Sequence, residues 1–413
     1  MFCGSCMQDN TLARALRMAG DDAVLVPTYT PIRVDEENVS NDQVFLGGVN
    51  VYLDSTVPGW KRLPGWMTHW LDRPRLISWI TKFGASTDAS KLGPLTLDML
   101  RGNHGPQQRA IREFVDYLCN DLKPDLIIFS NALLSGVLTE LRPRYAGKIL
   151  CLLQGDDIFL EELSADWKQP VLQQMQNNCQ AFDGFLTHSR YYQDFMIDYL
   201  KLTAEKFRQI PLTIDSTTIP SQTRSASPDS DRFRIGYFAR ICPQKGVQNL
   251  LSAAADVFPS LPNAEIVIAG FLPEQHRPWF EQLLHKATAI FPGRIHWLGS
   301  PAERSEKFQI LRDFDVLCVP TDYHEPKGLY VLEAAVAGIP SIVPSHGAFP
   351  ELIAALGHGS TYDVASRDGL VQAIITAASQ EKSATTTLPD RVESGFGIST
   401  TGKLIATILR SLN

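Results

Sequence analysis

EPKGLYVLE, residues Glu325 to Glu333, is the stretch on which the reading of this chain turns. It follows DVLCVPT, Asp315 to Thr321, a continuous apolar run of the kind found in strands buried on both faces of a parallel sheet. After Gly328, Leu329, Leu332, Glu333 and Val336 fall in helical register, so the stretch spans a strand-to-helix turn. Glu325 sits in the loop, and Glu333 lies roughly 8 to 12 Å further along at ~1.5 Å per residue. That separation is too great for the two carboxylates to flank one bond and suits opposite ends of one elongated ligand. The open backbone N–H groups after Gly328 favour a phosphate or a sugar hydroxyl. The plainer alternative is a surface loop acid and a solvated helix acid.

A second constellation weighs against that alternative. FRIGYFA, Phe233 to Ala239, reads as a buried strand, followed by Arg240, then Lys245 and Gly246, then helical register on Val247, Leu250, Leu251 and Ala254. Ligands of open α/β sheets bind outside the carboxyl ends of the strands. An Arg and a Lys converging there suit a diphosphate. Strands are further expected at Ala23 to Pro27, Val49 to Leu53, Asp125 to Ser130, Lys148 to Gln154 and Gly184 to His188 in the first half. In the second half they are expected at Arg234 to Ala239, Glu265 to Gly270, Ile295 to Gly299, Asp315 to Pro320 and Ser341 to Pro344. The alternation with helical patterns predicts an α/β protein of two doubly wound, Rossmann-like domains. STTIPSQTRSASPDSDR, Ser216 to Arg232, has the composition of a linker. The expected division is therefore 1–215, a linker 216–232, 233–395, and a last helix within 396–413 that crosses back to the first domain.

Arg240 with Lys245-Gly246, followed about eighty residues later by Glu325 and Glu333 in an E-x7-E arrangement, resembles the carboxyl-terminal domain of the retaining, metal-independent GT-B glycosyltransferases of family 4. The resemblance implies two Rossmann-like domains facing across a cleft and transfer of a hexosyl unit from a nucleotide-diphosphate sugar with retention. It implies that Arg240 and Lys245 bind the diphosphate, and that Glu325 with the backbone of Lys327, Gly328 and Leu329 holds the transferred sugar. Glu333 would bind the ribose hydroxyls. The catalytic roles thus fall on Glu325, Arg240 and Lys245. SHGAFPE, Ser345 to Glu351, is similar to the family's next loop, with Glu351 more structural in character. No metal and no cofactor beyond the nucleotide sugar as co-substrate are implied.

The first half departs from the pattern. A Rossmann-like half opens with a strand and then a glycine turn, yet here the Gly4-Ser5 turn arrives at once and helical register begins near Leu12. The first strand is expected to be missing, which an upstream start codon would explain. Gly4, Ser5 and Asn10 are then cleft candidates by resemblance. Gln154, Asp156 and Asp157 follow the run Lys148 to Leu153 at a strand's carboxyl end. Family members commonly carry His at the position of Gln154, and Gln can donate and accept hydrogen bonds but cannot act as acid or base. Asp156 and Asp157 suit acceptor hydroxyls or, equally, the start of a helix dipole. His324 is a weaker candidate. The Cys3-Gly-Ser-Cys6 pair lacks the preceding strand of a redox motif and the second ligand pair of a zinc site.

Composition bounds the rest. At 413 residues with 44% apolar and 20% charged, the chain is large enough for two cores. A net charge of −7 argues against nucleic acid as a partner. Seven cysteines without a regular framework, no long apolar run and no secretion signal place it in the cytoplasm. Gly59 to Phe83 holds four of the seven tryptophans and five Lys or Arg against one acid, which suits a core insertion or peripheral contact with the inner membrane face. The acceptor is open among glycan, lipid-linked and small-molecule classes. The rival readings are a non-catalytic nucleotide-sugar or glycan-binding protein of the same fold, and a nicotinamide oxidoreductase. The last is weak, because neither half shows a strand followed by G-x-G-x-x-G.

Overall fold

A computed structural model describes residues 4–29, 31–32, 34–41, 43–46, 92–217, 219, 232–366, 368–380 and 387–412. The expected strand at 49–53, the aromatic basic stretch 59–83, Cys3 and most of the linker lie outside the described residues. The chain divides into two compact units, one of Pro211–Thr401 and one of Phe2–Ile210 with Gly402–Asn413.

In the first-half unit, four strands form one parallel sheet: β1 (Leu126–Phe129), β2 (Lys148–Leu152), β3 (Gly184–Thr187) and β4 (Phe207–Gln209), in spatial order β1-β2-β3-β4. Its two faces are covered separately. On one, Phe129, Ile149, Cys151 and Phe185 pack with Val171, Met175 and Met196. On the other, Leu150, Leu152 and Leu186 pack against Leu12 and Leu16 of the Gly4–Met18 helix and Ile405, Ala406 and Leu409 of the Ile398–Leu412 helix. Gly402 permits that helix pair, since a Cβ there would lie 2.4 Å from the Ala15 carbonyl oxygen. Burial on both faces is why β2 and β3 read as unbroken apolar runs.

Six strands form the parallel sheet of the second unit: β5 (Phe233–Phe238), β6 (Ala264–Ala269), β7 (Ile295–Trp297), β8 (Val316–Cys318), β9 (Ser341–Pro344) and β10 (Ser360–Tyr362). Their order is β10-β9-β8-β5-β6-β7. The chain runs outward from β5 through β6 and β7, then returns to β5's other side with β8 paired at Ile235 to Val316. The order reverses between β5 and β8, and the crevice at such a reversal is where doubly wound sheets bind ligands. Gly236 allows the core beneath it, because a Cβ there would meet the Phe314 ring at 1.9 Å.

Several expectations are corrected. Residues 23–27 form no ladder strand; only an isolated bridge joins Leu25 to Ser40, as no described strand lies alongside to pair with. The first helix already starts at Gly4, so Gly4-Ser5 is its opening turn and not a glycine turn before it. The β8 ladder covers only Val316–Cys318, since Pro320 has no N–H to continue it. β4 and β10, three residues each, were too short and too polar to stand out in the sequence.

Candidate functional site

The loop after β5 and the loop after β8 are tied together at the switch point. Thr321 Oγ1 donates to the Gln244 carbonyl at 2.7 Å, and the Asp322 N–H donates to the same carbonyl at 3.0 Å. The Asp322 carboxylate accepts from Asn249 Nδ2 at 2.7 Å and Gln248 Nε2 at 3.1 Å. Gly246 (φ +73°) makes the approach possible, for a Cβ there would sit 1.7 Å from the Pro320 carbonyl oxygen.

This lacing delivers Lys245 to Glu325. Lys245 Nζ lies 2.6 Å from Glu325 Oε2, with the side chains 13% and 7% exposed. Tyr323 completes the group, its hydroxyl accepting from Lys245 and donating to Glu325 at 2.8 Å, while the Tyr330 hydroxyl lies 3.4 Å from the same oxygen. The ammonium also stands 4.6 and 4.9 Å from the two tyrosine ring centres. Burial pushes the Glu325 carboxyl up, but Lys245, the Tyr323 hydroxyl and Lys327 outweigh it and hold the group below the ordinary carboxylate range. Both tyrosine hydroxyls are pushed well up by burial and by Glu325, so they stay protonated and donating. The loop after β9 fixes the backbone, with the Ala348 N–H donating to the Glu325 carbonyl at 2.8 Å. Gly347 (φ +64°) lets that loop close in, because a Cβ would lie 2.6 Å from the Glu325 nitrogen.

Gly328 (φ +77°) caps the Leu329–Val336 helix, with Lys327 buried just before it. Two turns on, Glu333 is buried and pairs with Lys307 of the Arg304–Arg312 helix, Nζ to Oε1 2.9 Å, at 7% and 9% side-chain exposure. Glu325 and Glu333 therefore have separate cation partners. Arg240 lies on the β5 loop but is exposed and forms no ion pair among the described residues. His324 is exposed and stacks on His346 with ring centres 4.4 Å apart; Glu351 is half-buried in the first turn of the Phe349–Leu356 helix.

Tyr323, Tyr330 and Lys307 escaped the sequence reading. Lys307 left a trace, because it shares a helix face with buried Leu311 four residues on, where an unpaired Lys would be costly.

The first-half candidates fall into a different pattern. Gln154 Nε2 donates to Asp9 at 2.7 Å and to the Ser130 carbonyl at 3.3 Å. The Asp156 carboxylate accepts the Ala132 N–H at 2.5 Å and the Gln154 N–H at 3.1 Å. Burial pushes its carboxyl up to about 6, with Asp157 adding to the rise and the two N–H groups opposing it. Asp157 accepts the Tyr192 hydroxyl at 2.6 Å, and that hydroxyl accepts the N–H groups of Gly155 and Asp156 at 2.9 and 3.0 Å. Both acids thus hold the β2 loop in shape and open the Asp156–Glu161 helix. Asn10 is fully buried, donating to the Glu37 carbonyl and accepting from Val39. Gly4 is exposed and Ser5 half-buried on the first helical turn.

Residues 219–387, the greater part of the second unit, match the Glycosyl transferases group 1 family, so this part of the chain carries that family's domain. An uncharacterized glycosyltransferase of Methanocaldococcus jannaschii is 31% identical over 130 residues, 32% of this chain and 32% of that protein. A phosphatidyl-myo-inositol mannosyltransferase of Mycolicibacterium smegmatis is 28% identical over 133 residues, again 32% of each chain. The matched stretch spans about a third of each of these relatives. Among solved structures, Anabaena HepE, crystallised in complex with UDP and glucose, is similar at 17% identity over 99% of this chain and 96% of its own, TM-score 0.66. Sucrose-phosphate synthase from Thermosynechococcus elongatus is similar at 16% identity over 97% and 91%, TM-score 0.68. The fold is α/β of the GT-B type, built on two parallel, Rossmann-like sheets.

Proposed function

We propose that this protein is a glycosyltransferase that moves a hexosyl unit from a nucleotide-diphosphate sugar to an acceptor, with retention and without a metal ion. The observation that supports it best is the Lys245–Glu325 pair at the β5–β8 switch point, inside the stretch matching the Glycosyl transferases group 1 family. The Anabaena HepE complex with UDP and glucose supports a nucleotide-sugar donor. The reaction breaks the bond between the anomeric carbon and the diphosphate, whose oxygen keeps the electron pair. Lys245, Lys327, Arg240 and the N–H groups opened by Gly328 would stabilise that charge where it develops. Glu325, kept ionised by Lys245, would grip hydroxyls of the transferred sugar together with the backbone of Lys327, Gly328 and Leu329. Glu333, oriented by Lys307, would take the ribose hydroxyls, and the acceptor hydroxyl would pass its proton to the departing diphosphate oxygen as the new bond forms. We place the protein in the cytoplasm; among the described residues no helix is long and apolar enough to cross a membrane. Contact with an anionic membrane face through 59–83 and a glycan, lipid-linked or small-molecule acceptor belong to the same proposal, with Gly4, Ser5, Asn10, Gln154, Asp156 and Asp157 on the acceptor side.

A second reading, a non-catalytic nucleotide-sugar or glycan-binding protein, is favoured by one observation: Gln154 carries no titratable proton and is engaged with Asp9. The deciding experiment incubates the protein with a panel of nucleotide sugars and candidate acceptors, with and without a chelator. Release of one nucleoside diphosphate, insensitive to the chelator, and a product of unchanged anomeric configuration by NMR are expected. Binding of a nucleotide sugar without turnover would establish the second reading instead.

A further inference from the structure

Asp9 lies on the Gly4–Met18 helix, a turn before Leu12, and Leu12 and Leu16 pack on the sheet face that carries Leu150 and Leu152. Residues three apart share a helix face, so Asp9 is turned toward the same sheet. Side chains alternate along an extended chain, and the Leu153 N–H still donates to the Leu186 carbonyl, so Gln154 leaves the end of β2 on the face of Leu152. The helix period and the strand period thus bring Asp9 and Gln154 together just beyond the carboxyl end of β2. Gln154 Nε2 donates to Asp9 Oδ1 at 2.7 Å, and also to the Ser130 carbonyl, past the end of β1, at 3.3 Å. Gln154 is only 6% exposed, so water is a poor substitute for either partner.

Chemistry fixes which way round this amide sits. A carboxylate and a carbonyl accept hydrogen bonds and cannot donate, whereas a primary amide has two N–H donors on its nitrogen and an acceptor oxygen. Turned over, Gln154 would set Oε1 against the oxygens of Asp9 and Ser130, acceptor against acceptor in a buried place. Both N–H donors are therefore committed to the protein, and the group with which Gln154 can meet a ligand is its oxygen. The neighbouring acids are engaged in shaping the loop: Asp156 accepts the Ala132 and Gln154 N–H groups, and Asp157 the Tyr192 hydroxyl.

We infer, on the reading of the protein as a glycosyltransferase with Gln154 on its acceptor side, that Asp9 is a positioning residue. It locks the Gln154 amide so that the β2 loop presents a hydrogen-bond acceptor, which selects a donating hydroxyl of a sugar. A hydroxyl satisfies that oxygen, whereas a deoxy carbon or an ether oxygen at the same place leaves it unmatched. Sites built to hydrogen-bond a hydroxyl reject analogues lacking it.

The test reads the Gln154 side-chain amide directly, by NMR of the full chain carrying nitrogen-labelled glutamine, its signal identified by its loss in Gln154→Leu. In the wild type its amide protons are expected to exchange slowly with water, and in Asp9→Leu about tenfold faster or more. Asp9→Asn keeps an acceptor oxygen and is expected to restore slow exchange, with melting curves checking the fold of both variants. Glucose, galactose and mannose are then titrated as probes. At least one is expected to shift the Gln154 signal in the wild type and in Asp9→Asn, and to bind about tenfold more weakly or worse in Asp9→Leu. Fast exchange in the wild type, which is decided without any variant, would overturn the inference. So would exchange in folded Asp9→Leu no faster than in the wild type, or no response to any of the three sugars. Nucleoside diphosphate release is measured separately, so failure of the glycosyltransferase reading shows there, while the amide readings decide the orientation of Gln154 without turnover.

Discussion

Replacing Lys307 by methionine keeps most of the buried stem and removes only the charge, which isolates the electrostatic role of its pair with Glu333. At 2.9 Å the two charges attract by about 6 kcal/mol with an effective dielectric of 20, against which stands the cost of taking both out of water. With side chains 7% and 9% exposed there is little solvent to take over when one partner goes. Loss of one partner of a buried pair costs about 3–5 kcal/mol, because the remaining charge is stranded. In a unit of this size each kcal/mol moves the melting temperature by about 2–4 °C, so a fall of roughly 6–20 °C is expected. Lys307→Met with Glu333→Leu should recover most of that loss, since replacing a buried pair by apolar groups is often neutral. Denaturant and thermal melts of the wild type, both single variants and the double variant form the cycle that measures this. A Lys307→Met variant within about 1 kcal/mol of wild type, or a double variant as unstable as the single one, would refute the reasoning.

Other expectations follow from the same geometry. Gly246→Ala must hold a left-handed backbone at about 1–2 kcal/mol, and its Cβ would meet the Pro320 carbonyl oxygen at 1.7 Å; an unchanged melting temperature would contradict the tight approach of the two loops. Glu325 is held below its ordinary range, so its contribution is present above the unfolded value of about 4.3 and is lost as pH falls through the folded value. In Lys245→Met burial would act with its chief opponent removed, so the Glu325 titration followed by carboxyl NMR should move upward, and an unmoved midpoint would contradict the pairing. Asp156 runs the other way: its carboxyl, raised to about 6, binds a proton more tightly folded than unfolded. Its contribution is fully present below the unfolded value of about 3.9 and is lost as pH rises to about 6. A measured midpoint near 4 for Asp156 would contradict the burial argument.

Much of this architecture is legible in the sequence because buried parallel strands announce themselves. FRIGYF, AEIVIA and SIVP are mostly apolar, Arg234 and Glu265 pairing with each other across β5 and β6, and each run is followed by a helical period. β4 and β10 are three residues long, within the reach of chance, and acquire strand identity only from a neighbour's ladder. At the site, Lys245 and Glu325 could be paired by reasoning from strand ends, since both follow strands that the topology makes neighbours. Lys307 could not be matched to Glu333 in the same way, because its partner lies 26 residues on in a different helix. The Asp156 carboxylate shows the opposite limit. Its spacing suits a ligand contact, yet its oxygens go to the Ala132 and Gln154 backbone, and the former bond joins residues 24 apart. Asn10 likewise satisfies the backbone of Glu37 and Val39, a long-range closure that no local pattern encodes.

The central claim is that the β5–β8 switch point binds the diphosphate of a nucleotide sugar, and titration calorimetry with uridine, guanosine and adenosine diphosphates tests it most directly. The account predicts that one of the three binds, and that Lys245→Ala and Glu333→Ala each weaken it by about tenfold or more while Asp194→Ala, far along the chain in the first-half unit, leaves it unchanged. Absence of binding by all three to the folded wild-type protein, or binding that survives both substitutions, would contradict it.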